Sequence, residues 1–341
     1  MLPTIWFCLA AVMLTGYVLL DGFDLGVGIL VLFVARSEEE RSHALRAIGP
    51  VWDGNEVWLL ALGGALVLAF PTLYASAFSG FYLALMIVLW LLILRGIAME
   101  FRHHIETAEW RQFWSVVFGL ASTALALVFG IALGNVVRGV PLDASGYFFL
   151  PLWTSFTPAG QVGAIDWYTL LVGIGAVLTL AVHGSLWVVL KTGGDLQERA
   201  RRFARACWNG LVGAMLLVTV SSFAVQPNLG RQLQSQPWGI LFIGLAIADI
   251  VAERVFIRRR QDFAAFIASC LSIAGMLASA AFGVFPNLLP ANTVPSFSLT
   301  VYNAAAGGYG LSVALCWFLP GMALAIGYFV FIYRRFAGKQ A

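Results

Sequence analysis

The chain has 341 residues, of which 60% are hydrophobic and 11% charged, with a mean hydropathy of +0.87 and a formal net charge of +3. Soluble domains carry roughly 25% charged residues, so the composition excludes one. The apolar runs are about 20 residues long, which excludes the ~10-residue alternating segments of a membrane barrel. Nothing in the charge pattern supports nucleic-acid binding.

The hydrophobic runs predict an all-α polytopic membrane protein, a single integral domain over 1–341, with nine spans near 4–34, 49–70, 76–99, 113–134, 163–190, 205–226, 236–256, 263–284 and 311–334. The first 35 residues carry no basic segment before Arg36, and the run holds Asp21 and Asp24, so no cleavable leader is expected. Between spans one and two, SEEERSHALRAI (Ser37–Ile48) reads as a solvated connector. The long segment Asn135–Ile165, with Pro141, Pro151, Pro158 and several aromatics, reads as a loop at the lipid interface. Phe285–Gly310 has no charge and is expected to fold against helix ends.

Lys and Arg set the orientation. Of the 20 basic residues, all but Arg138 and Arg231 lie in the loops after spans one, three, five and seven, in the bordering span ends, or in the C-terminal tail. By the positive-inside rule the N-terminus faces out and the C-terminus faces the cytoplasm. The alternation requires an odd number of spans.

Four carboxylates stand out. Asp21 and Asp24 interrupt span one, and Asp53 and Glu56 lie near the start of span two. A charged group at mid-bilayer costs ~2.5–3.5 kcal/mol even on a lenient scale, so four of them in two successive helices call for a use. Both pairs are three residues apart and share a helix face. At 1.5 Å per residue, Asp53, Glu56, Asp24 and Asp21 rise from the inner face in steps of roughly 5 Å. Such a ladder suits a half-channel for protons, because a carboxyl accepts and releases a proton where an amide cannot. The competing reading is that some of these groups cap broken helices or pair with Arg95, which the same count places level with Asp53. Gly28 lies on the Asp21 stripe and permits close helix approach.

The remaining polar residues are less telling. His183, deep in span five, is a candidate haem ligand and otherwise a hydrogen-bonded core histidine. Asp249 and Glu253, next to Arg254, read as an interfacial ion pair. Cys8, Cys207, Cys270 and Cys316 form no CxxC or CxxCH pattern and read as packing residues. No metal site is expected.

The segments LDGFDLGVG (Leu20–Gly28) and GPVWDGNEVWLLALGGALVLAFPTLYASAFSGFYLAL (Gly49–Leu85) resemble subunit II of the cytochrome bd-type quinol oxidases. Further matches are ALGNVVRGVP (Ala132–Pro141), FPNLLP (Phe285–Pro290) and SLTVYNAAAG (Ser298–Gly307). The resemblance implies two four-helix bundles plus one peripheral helix. It also implies a non-haem subunit of a respiratory enzyme that oxidises quinol and reduces oxygen to water, not catalytic alone. Haems b and d would reside in a partner, subunit I. A small single-span subunit joins some relatives, and some hold a structural quinone in subunit II; no residue here places one. On this resemblance Asp21, Asp24, Asp53 and Glu56 stand in the proton-route motifs, with Asp53 of WDGN carried over most directly. Gly22, Gly28, Trp52, Gly54, Asn55 and Trp58 are the accompanying motif residues. The rival reading is a proton-coupled secondary transporter, which predicts matching broken helices in both halves. Deep acidic interruption in the first half alone argues against it.

Overall fold

The computed structural model describes residues 1–158 and 160–339. It is almost wholly helical: α1 (Leu2–Val34), α2 (Glu38–Arg46), α3 (Trp52–Ala69), α4 (Pro71–Gly80), α5 (Tyr82–Phe101), α6 (Ala108–Arg138), α7 (Trp167–Lys191), α8 (Gly194–Val225), α9 (Asn228–Ser235), α10 (Ile240–Arg258), α11 (Asp262–Val284) and α12 (Gly308–Arg335). A two-stranded antiparallel ribbon pairs β1 (Asn287–Leu289) with β2 (Leu299–Thr300).

Among the described residues seven helices are long and apolar enough to cross a membrane: α1, α5, α6, α7, α8, α11 and α12. The two other expected spans correspond to α3 and α10. They are only 18 and 19 residues long and leave no separate uncharged stretch of span length: Asp53 and Glu56 lie on α3, and Asp249, Glu253, Arg254 and Arg258 on α10. The expected third span, 76–99, is divided at Phe81. There α4 ends and α5 begins, with the Phe148 ring from the α6–α7 connection packed on Gly80 and edge-on to Phe81. α8 starts well before its apolar run, and its charged first half buries Leu196, Ala200 and Ala204 in the core shared with α1 and α7.

α1 is the central post. It touches α3, α6, α7 and α11, and from Asp21 to Val31 every residue is buried. Lipid-like helix interiors offer little hydrophobic drive for association, so close packing of small residues does that work. At the α1–α7 crossing, a Cβ on Gly26 would lie 2.0 Å from the Leu180 carbonyl oxygen, and one on Gly184 2.3 Å from the Gly26 carbonyl carbon. The α1–α6 contact uses Gly28 against Ser122 and Gly119 against Leu32 in the same way. α7 pairs with α8, and α10 with α11. α12 leans on α1 and α3 and buries only Leu311.

The two ends differ. At the end where α1 and α12 finish, here the basic end, ion pairs tie the elements: Arg199 on α8 to Glu40 on α2, Arg102 after α5 to Glu38, and Arg201 to Asp262 (2.9 Å). At the opposite end the uncharged 285–307 segment covers the helix ends. It bonds to Val140 through the Pro290 carbonyl and the Asn292 amide, and to Ala69 through the Ala306 amide. Arg138, one of two basic residues expected at this end, is paired with Asp166, which caps α7 through the Tyr168 and Thr169 amides.

Gly184→Ala forces a methyl group into the Gly26 backbone and is expected to cost at least ~1–3 kcal/mol, the usual penalty for overpacking. Gly213→Ala, with nothing within 4 Å of its Cβ position, is expected to be silent. Thermal unfolding of the detergent-purified protein compares the two; equal midpoints would contradict the tight crossing.

Candidate buried carboxylate site

The buried stretch of α1 carries both its acids into the interior. Asp21 and Asp24 have no exposed surface. Asp21 is held by a two-pronged ion pair to Arg95 of α5: Nη1 donates to Oδ2 at 2.8 Å and Nη2 to Oδ1. Arg95 is itself fully buried. Two-point guanidinium–carboxylate pairing is the strongest arrangement open to such groups, and it removes the net charge of both. Tyr17, one turn before Asp21, is buried on the same stripe.

Asp24 has a different environment. Its Oδ2 accepts from Asn55 Nδ2 at 2.8 Å, while its Oδ1 is buried with no hydrogen-bond partner among the described residues. The same Asn55 nitrogen donates to the Leu20 carbonyl (3.2 Å), and Asn55 Oδ1 accepts from the Tyr333 hydroxyl (2.8 Å). One amide of α3 thus joins α1 to α12 and fixes its own orientation. No cation bonds to Asp24 directly. Beside Tyr333 lies a chamber of ≈ 10 Å³, lined also by Ala47, Pro50, Val51, Trp187, Lys191 and Phe336. That is about the space of one water molecule.

Asp53 and Glu56 lie on another side of α3 from Asn55. Asn55, Leu62 and Ala69 form the buried edge of the helix. Asp53 is exposed on a stripe with Val57 and Leu60, the latter 73% exposed; Glu56 is half-buried at its margin. Asp53 and Glu56 are within electrostatic reach of each other, and Glu56 is within reach of Arg95, Asp21 and Asp24. The four acids therefore form a succession from the surface of α3 to the core of α1, with Asp21 tied off by Arg95.

The accompanying motif residues serve as packing. Trp52 borders Gly96 on α5, and Gly54 faces Tyr328 and Phe329 of α12. The Trp58 ring lies on Gly16 and against Phe329, with ring centroids 5.6 Å apart. Gly22 meets Leu180, and Gly28 meets Ser122.

His183 is fully buried and stacked on Phe266 (5.0 Å, 11°). Its Nε2 donates to the Leu19 carbonyl (2.9 Å), which leaves Nδ1 to accept from Ser269 Oγ (2.7 Å). Both nitrogens are occupied, so this histidine does not fit a haem without losing a bond. Asp249 and Glu253 do not pair with Arg254. That guanidinium lies over the Trp208 ring (4.9 Å) and donates to the Arg205 carbonyl (3.3 Å). All four cysteines are free. Sequence reasoning missed Tyr333 and Tyr17 and treated Asn55 as a motif residue only. An uncharged polar residue two positions after Asp53, on the inner side of the same helix, was the available signal.

Asp21→Asn strands the Arg95 guanidinium in the core and is expected to cost ~3–5 kcal/mol. An Asp21→Leu/Arg95→Met double variant is expected to recover most of the folded protein extracted from membranes. Additive losses from the two single changes would show that the pair is not coupled.

The family model for cytochrome bd terminal oxidase subunit II matches residues 2–336. Subunit 2 of the cytochrome bd ubiquinol oxidase of Bacillus subtilis (strain 168) is 32% identical over 338 residues, covering 98% of this chain and 96% of that protein. Subunit 2 of the cytochrome bd-I ubiquinol oxidase of Escherichia coli (strain K12) is 31% identical over 336 residues, covering 91% and 87%. The fold is also that of a chain in the structure of bd oxidase from Geobacillus thermodenitrificans, with a TM-score of 0.77 at 20% identity over 98% of both chains. This chain belongs to the cytochrome bd terminal oxidase subunit II family.

Proposed function

We propose that the chain is the haem-free second subunit of a quinol:oxygen oxidoreductase and supplies protons from the cytoplasm for the reduction of oxygen to water. Its partner is a haem-bearing subunit I, to which the proposal assigns haems b and d; it assigns no quinone to this chain. The two occupied nitrogens of His183 support that division. A secondary transporter is not favoured, because the relatives matched over nearly the whole chain are oxidase subunits.

In this reading α3 and α10 complete nine spans. At 1.5 Å rise, 18 residues reach ~27 Å, close to the hydrocarbon thickness. α1, α3, α5 and α6 form one bundle and α7, α8, α10 and α11 the other, with α12 peripheral; the pairwise helix contacts support this grouping. The basic end faces the cytoplasm of a bacterial inner membrane, with the N-terminus periplasmic. A small single-span subunit would find room on the exposed face of α12.

One observation carries the proton role: a fully buried aspartate, Asp24, with one oxygen free and the other bound only by a neutral amide. Asp53 would collect a proton at the basic end, Glu56 relay it through bridging water, and Asp24 hold it in the core. Asp21 takes no part in transfer, because protonating it would break the Arg95 pair. It acts as the anchor that positions the α1 backbone for Asp24. Tyr333 orients Asn55 so that its amide nitrogen faces Asp24.

The test is the complete oxidase in proteoliposomes, with oxygen consumption and proton uptake measured together. Asp24→Asn is expected to slow both by roughly 10²-fold, the scale of a lost proton-transfer group, with an unaltered haem spectrum. Asp53→Asn is expected to give a smaller loss, because surface water substitutes for it in part. Wild-type uptake in Asp24→Asn would remove the proposed route.

A further inference from the structure

An open cleft of ≈ 440 Å³ at the basic end takes no part in the buried carboxylate site. One wall is α2, which contributes Glu38, Glu39, Ser42 and Arg46. The other is the connection from α5 into α6, which contributes Arg102, His103 and Arg111. Glu100, Glu106 and Glu109, from the same stretch of chain, do not line it.

Part of this charge is already matched. Arg102 is 1% exposed and is held by three side chains: its Nε donates to Ser115 Oγ (2.9 Å), and its Nη2 to Ser42 Oγ (3.2 Å) and to Glu38. Glu38 also has Arg41 at 3.8 Å. Glu39 and Arg111 differ. They line opposite walls, and among the described residues neither side chain forms a hydrogen bond or an ion pair, with the other or with a third group. The cleft therefore carries an unmatched acid on one wall and an unmatched guanidinium on the other. The basic wall is felt by its neighbour: burial and the charges of Arg102 and Arg111 hold the His103 imidazole below its ordinary range, against the opposing pull of Glu100 and Glu38.

The depth of the cleft names the class of ligand. α5 has 20 residues, which at 1.5 Å each rise ~30 Å, the thickness of the hydrocarbon core. Arg102 follows its last residue and so sits at headgroup level. An aromatic collar marks the same depth: Phe101 and Phe113 are exposed, Trp110 Nε1 donates to the Phe101 carbonyl (2.7 Å), and the Trp114 ring stands edge-on to Phe101 and Trp110. Phe101, Ile105 and Phe113 give an acyl chain an apolar surface beside the cleft. A headgroup with negative charge alone would meet Glu39 without compensation; a zwitterion answers both walls.

We propose that the cleft binds the headgroup of a phospholipid bearing a primary amine, with its phosphodiester against Arg111 and its ammonium against Glu39. A guanidinium offers two parallel donors to phosphate oxygens. A carboxylate accepts N–H bonds from a primary ammonium, which a trimethylated one cannot donate. The bound headgroup joins α2 to the α5–α6 connection beside the Arg102–Glu38 pair. On the orientation proposed above it belongs to the cytoplasmic leaflet; the site does not depend on the proton route.

The test uses the complete oxidase, delipidated in mild detergent and given phosphatidylethanolamine with a photoactivatable group near its glycerol. Peptide mass spectrometry is expected to find the adduct on the α2 and α5–α6 segments. Unlabelled phosphatidylethanolamine is expected to compete better than phosphatidylcholine or phosphatidylglycerol, and millimolar inorganic phosphate not to compete. Arg111→Gln is expected to lower labelling roughly tenfold, the scale of one lost charge-assisted hydrogen bond, with an unaltered haem spectrum. Glu39→Gln is expected to abolish the preference for phosphatidylethanolamine over phosphatidylcholine. Equal competition by the three lipids in the wild type, labelling indifferent to both substitutions, or displacement by inorganic phosphate alone would overturn the proposal.

Discussion

The Asp21–Arg95 pair sets the terms for everything around it. A membrane interior tolerates a charge only when it is met in place, and one guanidinium can satisfy one carboxylate at two points. Both terminal nitrogens of Arg95 are spent on Asp21. Asp24, one turn further along α1, is left to neutral donors. That asymmetry separates the chemistry of two otherwise similar residues. Removing the charge of Asp21 leaves a buried cation behind, so Asp21 is fixed. Asp24 gains or loses a proton without stranding a partner, and its free oxygen is where a proton would sit.

The same pair explains why α1 is so thoroughly enclosed. Arg95 draws α5 to α1 from one side, and Asn55 binds α3 and α12 to it from another. The glycine contacts with α6 and α7 close the rest. Each of these contacts shortens the distance over which the acids are exposed to lipid. The motif LDGFDLGVG therefore encodes two needs at once: buried acids, one anchored by Arg95 and one bound only by a neutral amide, and missing side chains where neighbouring backbones must come close.

Much of this was legible. Long apolar runs, charge alternation and the four acids all follow from residue type and spacing. The geometry of the site was not. The i, i+3 spacing of Asp53 and Glu56 places them on one side of α3 but does not say which side is inward; Asn55, Leu62 and Ala69 decide that. Counting residues from helix ends placed Arg95 level with Asp53, yet it reaches Asp21. The count ignores helix tilt and the length of the arginine stem. Tyr333 meets Asn55 across 278 residues, and no local pattern marks such a contact. Arg254 beside Glu253 suggested an ion pair by adjacency, but neighbouring residues on a helix point about 100° apart, and the aromatic face of Trp208 claims the guanidinium.

The exposed side of α3 gives the last constraint. Asp53 continues a stripe with Val57 and Leu60, the kind of apolar surface that lipid covers without cost. A carboxylate on that stripe is different: lipid tails offer it neither water nor a donor. Near the basic end it can reach the interface, but Glu56 lies one turn deeper and at the margin of the same surface. A surface that is apolar over most of its length and acidic at one end fits a protein partner that carries its own polar groups to the acidic end. In the proposed complex the proton route thus begins in a crevice between two subunits that stays open to water at the basic end, and its final station, Asp24, is enclosed within this chain.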